Sequence, residues 1–237
     1  MSSLPRKRVL LKLSWEAIGG VSALHDHDMI QSLVNKIIGL SHAWVEVAII
    51  CGGGNIWRYR DHVSSGIDRL KSDHIGMMAW VINAIVLNER IISEWGECVI
   101  YSAHSVSVPT MTNLYNAIEA RRDLGEGKIV LCAWWTGSPY STHDLAAVLR
   151  GLELQCDIVV KCTKVDGLYD KDPLKYPDAI KYDTLTLSEV VARWLQVMDQ
   201  SALALALDEN MPLYICHIDQ IDRLISGDAG GTHICLQ

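Results

Sequence analysis

Phenylalanine is missing from all 237 residues, and the large rings are carried by eight Trp and eight Tyr. The sequence itself offers no physical account of that absence. Paired cysteines are missing too: the seven, at 51, 98, 132, 156, 162, 216 and 235, are scattered, odd in number and never spaced Cys-x-x-Cys. That argues against disulfides and a metal site, and for reduced thiols in the core. Positive charge is scarce. With 21 Lys and Arg against 28 Asp and Glu the net charge is −7, and the basic cluster Arg6-Lys7-Arg8 stands alone, so no nucleic-acid surface is expected. No apolar run approaches the roughly 20 residues that span a bilayer, and no charged-then-apolar leader is present; the expected setting is cytoplasmic, with no membrane contact. Repeats and Pro/Gly/Ser-rich linkers are also lacking.

What the chain does have is apolar bulk in short runs. Hydrophobic residues make up 49%, enough for a substantial core in one large domain or two closely packed lobes. Strand-like runs at Arg8–Leu13, Val45–Cys51, Glu97–Tyr101, Lys128–Ala133, Asp157–Cys162, Pro212–His217 and His233–Leu236 are separated by helical patterns. These lie at about Asp28–Leu40, Asp68–Ser93, Asn113–Arg122, Thr142–Gly151, Leu187–Leu195, Gln200–Glu209 and Ile218–Ile225. The alternation predicts an α/β fold, a three-layer sandwich with a central, mostly parallel sheet and helices on both faces. The longest pattern, with Ile75, Met78, Val81, Ile82, Ile85 and Ile92, predicts a largely buried helix with a candidate kink near Gly76. Two halves are expected to meet near residue 155, ahead of the irregular stretch Asp166–Asp183.

Several polar residues fall at strand ends, where open α/β sheets bind ligands. Gly52-Gly53-Gly54-Asn55 follows a strand, so it either lets backbone N–H groups approach a phosphate or serves packing in an ordinary turn. Lys12, ahead of Ser14, interrupts the apolar first strand, as an edge-strand solubility device or as a cation placed at a phosphate. Arg58 brings a guanidinium fork suited to phosphate oxygens. Lys12, Gly53, Gly54, Arg58 and Lys164 are candidates to converge on one polyphosphate. The hydroxyl-rich run Thr136–Asp144 either caps the next helix or forms an anion site at its start. His25 and His27 read as loop residues, and His74 and His104 as structural ones.

Five segments carry a more specific signal. Lys12-Leu-Ser-Trp-Glu-Ala, Gly52-Gly-Gly-Asn-Ile-Trp-Arg58, Ser72-Asp-His-Ile-Gly-Met77, Thr136-Gly-Ser-Pro-Tyr-Ser-Thr-His-Asp144 and Thr163-Lys-Val-Asp-Gly-Leu-Tyr-Asp-Lys-Asp-Pro173 stand in the order and spacing of bacterial uridylate (UMP) kinases. Val197-Met-Asp199 and Gly231-Thr232 follow, and the resemblance covers almost the whole chain. It implies an amino-acid-kinase-like domain over 1–237, with about 1–155 as the phosphate-acceptor lobe and about 156–237 as the ATP nucleoside lobe. ATP and Mg²⁺ are the implied cofactors, UMP the acceptor, and a hexamer the assembly. Lys12, Arg58 and Asp144 would be catalytic, Asp144 by orienting the lysine. Lys12, Leu13, Ser14, Trp15, Gly54, Arg58, Thr163, Tyr169 and Asp172 would bind ATP. Gly53, Asp73, Thr136, Gly137, Ser138, Pro139, Tyr140, Ser141, Thr142 and His143 would bind UMP, with no metal held by side chains.

The chain departs from that pattern at Trp15, Trp134, Trp135 and Tyr59, where the family has glycine, and at Trp80, Ser138 and His143. Trp15 either keeps a glycine-like backbone and fills phosphate space or packs away as a core aromatic. A charged His143 would favour a phosphate. Two alternatives therefore stand beside an active UMP kinase: a non-catalytic nucleotide-binding or structural member of the fold, and a kinase of a carboxylate or carbamate acceptor.

Overall fold

The chain's computed structural model describes residues 7–18, 25–94, 96–134, 136–224 and 230–236; Arg6, Trp135 and Ile225, named above, lie outside them. At its centre is β1 (Arg8–Leu13), whose five residues after Arg8 are all buried. It pairs in parallel with β2 (Glu46–Cys51) on one side and β6 (Ile158–Thr163) on the other. On the β2 side the sheet continues through β5 (Ile129–Cys132) and β3 (Cys98–Ser102) to the two-residue edge β4 (Asn113–Leu114), all parallel. On the other side β6 is followed by β10 (Leu213–His217), β11 (Thr232–Cys235) and β9 (Thr184–Thr186), and only β10 and β11 run antiparallel. A small hairpin of β7 (Leu168–Tyr169) and β8 (Lys181–Tyr182) stands apart.

Runs such as Val-Leu-Leu and Val-Ala-Ile-Ile have no polar face, so both sides of the sheet must be covered. One layer is α2 (His27–His42), α3 (Arg69–Ser93) and a 3₁₀ segment at Ile218–Leu224, packed on Val9, Leu11, Leu13, Ile49 and Cys51. The opposite layer is α4 (Ala117–Gly125), α5 (His143–Glu153), α6 (Leu187–Ala192) and α7 (Gln200–Asp208), packed on Leu10, Ala48 and Ile50. The short α1 (Trp15–Ile18) follows β1 directly. Asp26, Asp68, Asn116, Thr142, Thr186 and Asp199 cap six of the helices with side-chain oxygens, each satisfying backbone N–H groups the helix leaves open.

The three-layer expectation holds, with local corrections. Asn113 begins a strand, and α4 starts only after the Asn116 cap. The helix expected over Leu187–Leu195 stops at Ala192, because Trp194 turns left-handed at φ 55°. The segment from Ile218 is 3₁₀, not α. Helical structure continues through Gly76. By length and composition α3 could cross a bilayer, against the expectation that no apolar run is long enough. It is a core helix: Met77, Ala84, Leu87 and Ile91 have no exposed surface. All seven cysteines are unpaired thiols, five of them buried.

Candidate active site

Parallel register places the chemistry. Lys12 of β1 is the direct neighbour of Lys161 of β6, so the two side chains leave the same face of the sheet side by side. Lys12 is only 7% exposed, in a central strand, which removes the edge-strand reading. Two adjacent ammonium groups repel, and Asp144 in the first turn of α5 separates them. Its Oδ1 lies 2.9 Å from Lys12 Nζ and its Oδ2 3.2 Å from Lys161 Nζ. Lys161 also donates to the carbonyl of Val197. Burial alone would raise the Asp144 carboxyl, but the two lysines outweigh it and hold the group well below the usual carboxylate range. Burial, then repulsion from Lys12, brings Lys161 down to about 8. The trio keeps one net positive charge.

Above about pH 8 Lys161 loses its proton, so kcat/KM for a polyanionic substrate is expected to fall there, since this ratio follows ionisations of the free enzyme. The pH profile of kcat should break later, because a bound anion favours the charged lysine. Coincident breaks in the two profiles would refute the assignment.

A cavity of about 410 Å³ reaches His143, the residue before Asp144, and is lined among others by Ser14, Gly54, Arg58, Asp73 and Trp80. Close approach requires glycine at Gly52 and Gly53, which face the His143 and Trp80 rings, whereas Gly54 faces the flexible Arg58 side chain. A Cβ on Gly53 would lie 2.6 Å from Trp80 Cδ1, one on Gly52 2.9 Å from His143 Cε1, and one on Gly54 2.4 Å from Arg58 Nε. Two rings and a guanidinium thus press on the turn after β2. The His143 and Trp80 rings also touch, with centroids 4.2 Å apart. Burial, reinforced by Lys12, holds His143 well below its ordinary value, so it is neutral and the charged His143 of the sequence reading is corrected.

A second cavity of about 500 Å³ lies across β6 and is lined by Lys161, Thr163, Tyr169, Asp172, Trp194 and Val197, with others. The ATP set drawn from the sequence therefore divides. Thr163, Tyr169 and Asp172 border the second cavity, while Ser14, Trp15, Gly54 and Arg58 border the first. The Leu13 side chain is core. Lys164 is exposed and borders neither cavity, because β6 ends at Thr163.

Of the acceptor set, Gly53, Asp73 and His143 line the first cavity. The rest of the segment is largely bonded to itself or its neighbours. Thr136 Oγ1 bonds Ser141 Oγ at 2.9 Å and receives the Ser138 N–H at 3.2 Å. Gly137 turns left-handed at φ 85°, Pro139 follows Ser138, and the Tyr140 N–H donates to Asp73 Oδ2 at 2.8 Å. Thr142 caps α5 and donates its hydroxyl to Asp199, the cap of α7.

The tryptophans at glycine positions are core residues where described. Trp15 is 1% exposed, outside the left-handed region, and packs edge-on against His25 at 5.4 Å. Trp134 is equally buried, 4.7 Å from the Tyr115 ring and 4.9 Å from the Arg150 guanidinium. His25 also bonds Asn83 at 2.9 Å, and His27 opens α2.

Lys161 was not among the sequence candidates. Its signal was the same as that of Lys12, a lysine inside an apolar strand, but only register shows that the two meet.

The fold, with paired lysines bridged by a helix-start carboxylate and two cavities at the strand ends, is that of a phosphate-handling α/β enzyme. Residues 16–217 match the amino acid kinase family, and the chain belongs to that family. The uridylate kinase of Xanthomonas euvesicatoria pv. vesicatoria (strain 85-10) is 39% identical over 236 residues, 98% of each chain. That of Rickettsia bellii (strain RML369-C) is 41% identical over 222 residues, 92% of this chain and 91% of the relative. Among solved structures, UMP kinase from Bacillus anthracis superposes with a TM-score of 0.92 at 31% identity, covering 99% of this chain and 98% of that one.

Proposed function

We propose that this protein is a uridylate kinase, transferring the γ-phosphoryl group of ATP to UMP to give UDP. The observation that carries the reading is the Lys12–Asp144–Lys161 trio, with Lys161 on the wall of the second cavity and His143, next to Asp144, on the wall of the first, in a chain similar along its whole length to uridylate kinases. Phosphoryl transfer asks the protein for position and for neutralisation of oxygen charge. The acceptor phosphate is already an anion, so no general base is required. In this reading the second cavity takes the donor nucleoside against Thr163, Tyr169 and Asp172, and the first takes UMP against Gly53, Asp73 and His143. Residues 156–237 supply most of the donor side and 1–155 the acceptor side. Lys12 and Lys161 stabilise charge on the group in transit, and Arg58 clamps phosphate oxygens.

Among the described residues no group of three His, Cys, Asp or Glu is arranged to hold a metal, and the Asp144 carboxylate is taken by the lysines. Mg²⁺ would arrive on the ATP phosphates, ligated by them and by water, where it supplies further neutralisation. The carboxylate-acceptor and non-catalytic alternatives have no support among the similar proteins. The test is incubation with ATP, Mg²⁺ and UMP: UDP and ADP should form in equal amounts, and no turnover above background would reject the proposal. Acidic amino acids in place of UMP should give none.

A cytoplasmic homo-oligomer is part of the same proposal. Leu70, Met78, Ile82 and Ile92 leave an exposed apolar stripe along α3, the kind of surface that associates. Ile82→Glu is expected to lower the mass found by analytical ultracentrifugation. An unchanged mass would place the interface elsewhere.

A further inference from the structure

The rim of the first cavity contains an arginine that the motifs did not single out. Arg69, the first residue of α3, donates from Nε to Asp73 Oδ1 at 2.7 Å. Its guanidinium carbon lies 4.7 Å from the centre of the Tyr59 ring and 5.7 Å from that of Tyr140. The backbone N–H of Tyr140 takes the other oxygen of the same carboxylate, at 2.8 Å. One side chain therefore joins the 3₁₀ segment Tyr59–Asp61, the first turns of α3 and the loop ahead of α5.

Asp73 is 2% exposed, and a carboxylate removed from water needs partners to keep its charge. Arg69 and Tyr140 each engage one oxygen, which fixes the carboxylate plane. A carboxylate offers about four lone-pair sites, so both oxygens keep capacity for a hydroxyl or N–H of a ligand in the cavity. Arg69 is poorly placed for the helix. A cation in the first turn opposes the helix dipole, and the acid at that end, the Asp68 cap, faces Lys71. Its contacts with Asp73 and the two rings account for the position, and a planar fork that bonds along its edge while stacking on its face is a geometry lysine lacks.

We infer that Arg69 is a positioning residue for the acceptor nucleotide: it holds Asp73 in the orientation that receives the nucleoside and ties the Tyr59 and Tyr140 segments around it. This rests on the first cavity being the UMP site.

The test compares Arg69→Met, Arg69→Lys, Asp73→Asn and the double variant Arg69→Met/Asp73→Asn. For Arg69→Met, KM for UMP should rise about tenfold or more, the loss expected of one charged hydrogen bond. KM for ATP should stay put, and kcat at saturating UMP should change by no more than about threefold. Arg69→Lys should resemble Arg69→Met. Because Arg69 acts through Asp73, adding Arg69→Met to Asp73→Asn should change KM for UMP little further. Independent, multiplying effects of the two substitutions would overturn the inference, as would an unchanged KM in Arg69→Met. Should Arg69→Met fold poorly because it strands a buried carboxylate, the double variant set against Asp73→Asn answers the same question without that charge. An Asp73→Asn protein with wild-type KM for UMP would instead remove the acceptor reading of the cavity, and the inference with it.

Discussion

Replacing Lys161 with methionine is expected to lower kcat by about 10²- to 10³-fold, the cost of deleting one preorganised donor to transition-state charge. The fold should survive, since Asp144 keeps Lys12 at 2.9 Å and methionine refills the apolar stem of a side chain in a buried strand. KM values should move much less than kcat, because charge in transit exists only at the transition state. Single-turnover measurement of UDP formation reads this directly. A variant that folds and turns over within about tenfold of wild type would reduce Lys161 to a structural counter-ion of Asp144.

Asp144→Asn should act on stability as well as rate. It leaves two largely buried ammonium groups as register neighbours with no carboxylate between them, and stripping a buried ion group of a partner costs about 3–5 kcal/mol. Chemical denaturation at pH 7 should show that loss. The sign with pH is fixed by the depressed carboxyl: its contribution is present above its ordinary value of 3.8 and is lost as pH falls through the lower folded value. The stability gap between wild type and variant should therefore narrow in acid. His143 acts in the same direction in both proteins. Held below its ordinary 6.5, it is protonated more readily in the unfolded chain, so each protein weakens as pH falls below about 6.5. An Asp144→Asn protein as stable as wild type at pH 7 would sink the compensation argument.

Most of the architecture was legible because the apolar runs are short, β-branched and separated by capped helices, and the seven expected strands are all present. What escaped were β4, β7, β8 and β9, two or three residues each, too short to carry a period. They exist because neighbouring backbone needs partners. The site was legible to the extent that it is local. Lys12, the glycine turn, Asp73 and Asp144 each sit in a recognisable segment, whereas Lys161 gains its meaning from a strand 149 positions earlier by register. Lys164 misled for the opposite reason, a cation in the right segment but past the end of the strand. His143 was read from its side chain alone, and its charge is decided by burial and by Lys12, neither visible locally.

The pairing of β1 with β6 also bears on how the protein can fail. Along a strand, neighbouring residues face opposite sides of a sheet, so a slip of one residue would turn Lys161 to the other layer. Val159, Val160 and Cys162 are buried on both sides, and that apolar content does little to distinguish the shifted chain from the correct one. The lysine pair and its carboxylate supply the discrimination, because only one alignment neutralises both charges. A refolded preparation can then keep its secondary structure and compactness while part of it is permanently inactive, and the fraction of active sites titratable in a single turnover becomes a measure of strand alignment that circular dichroism does not see.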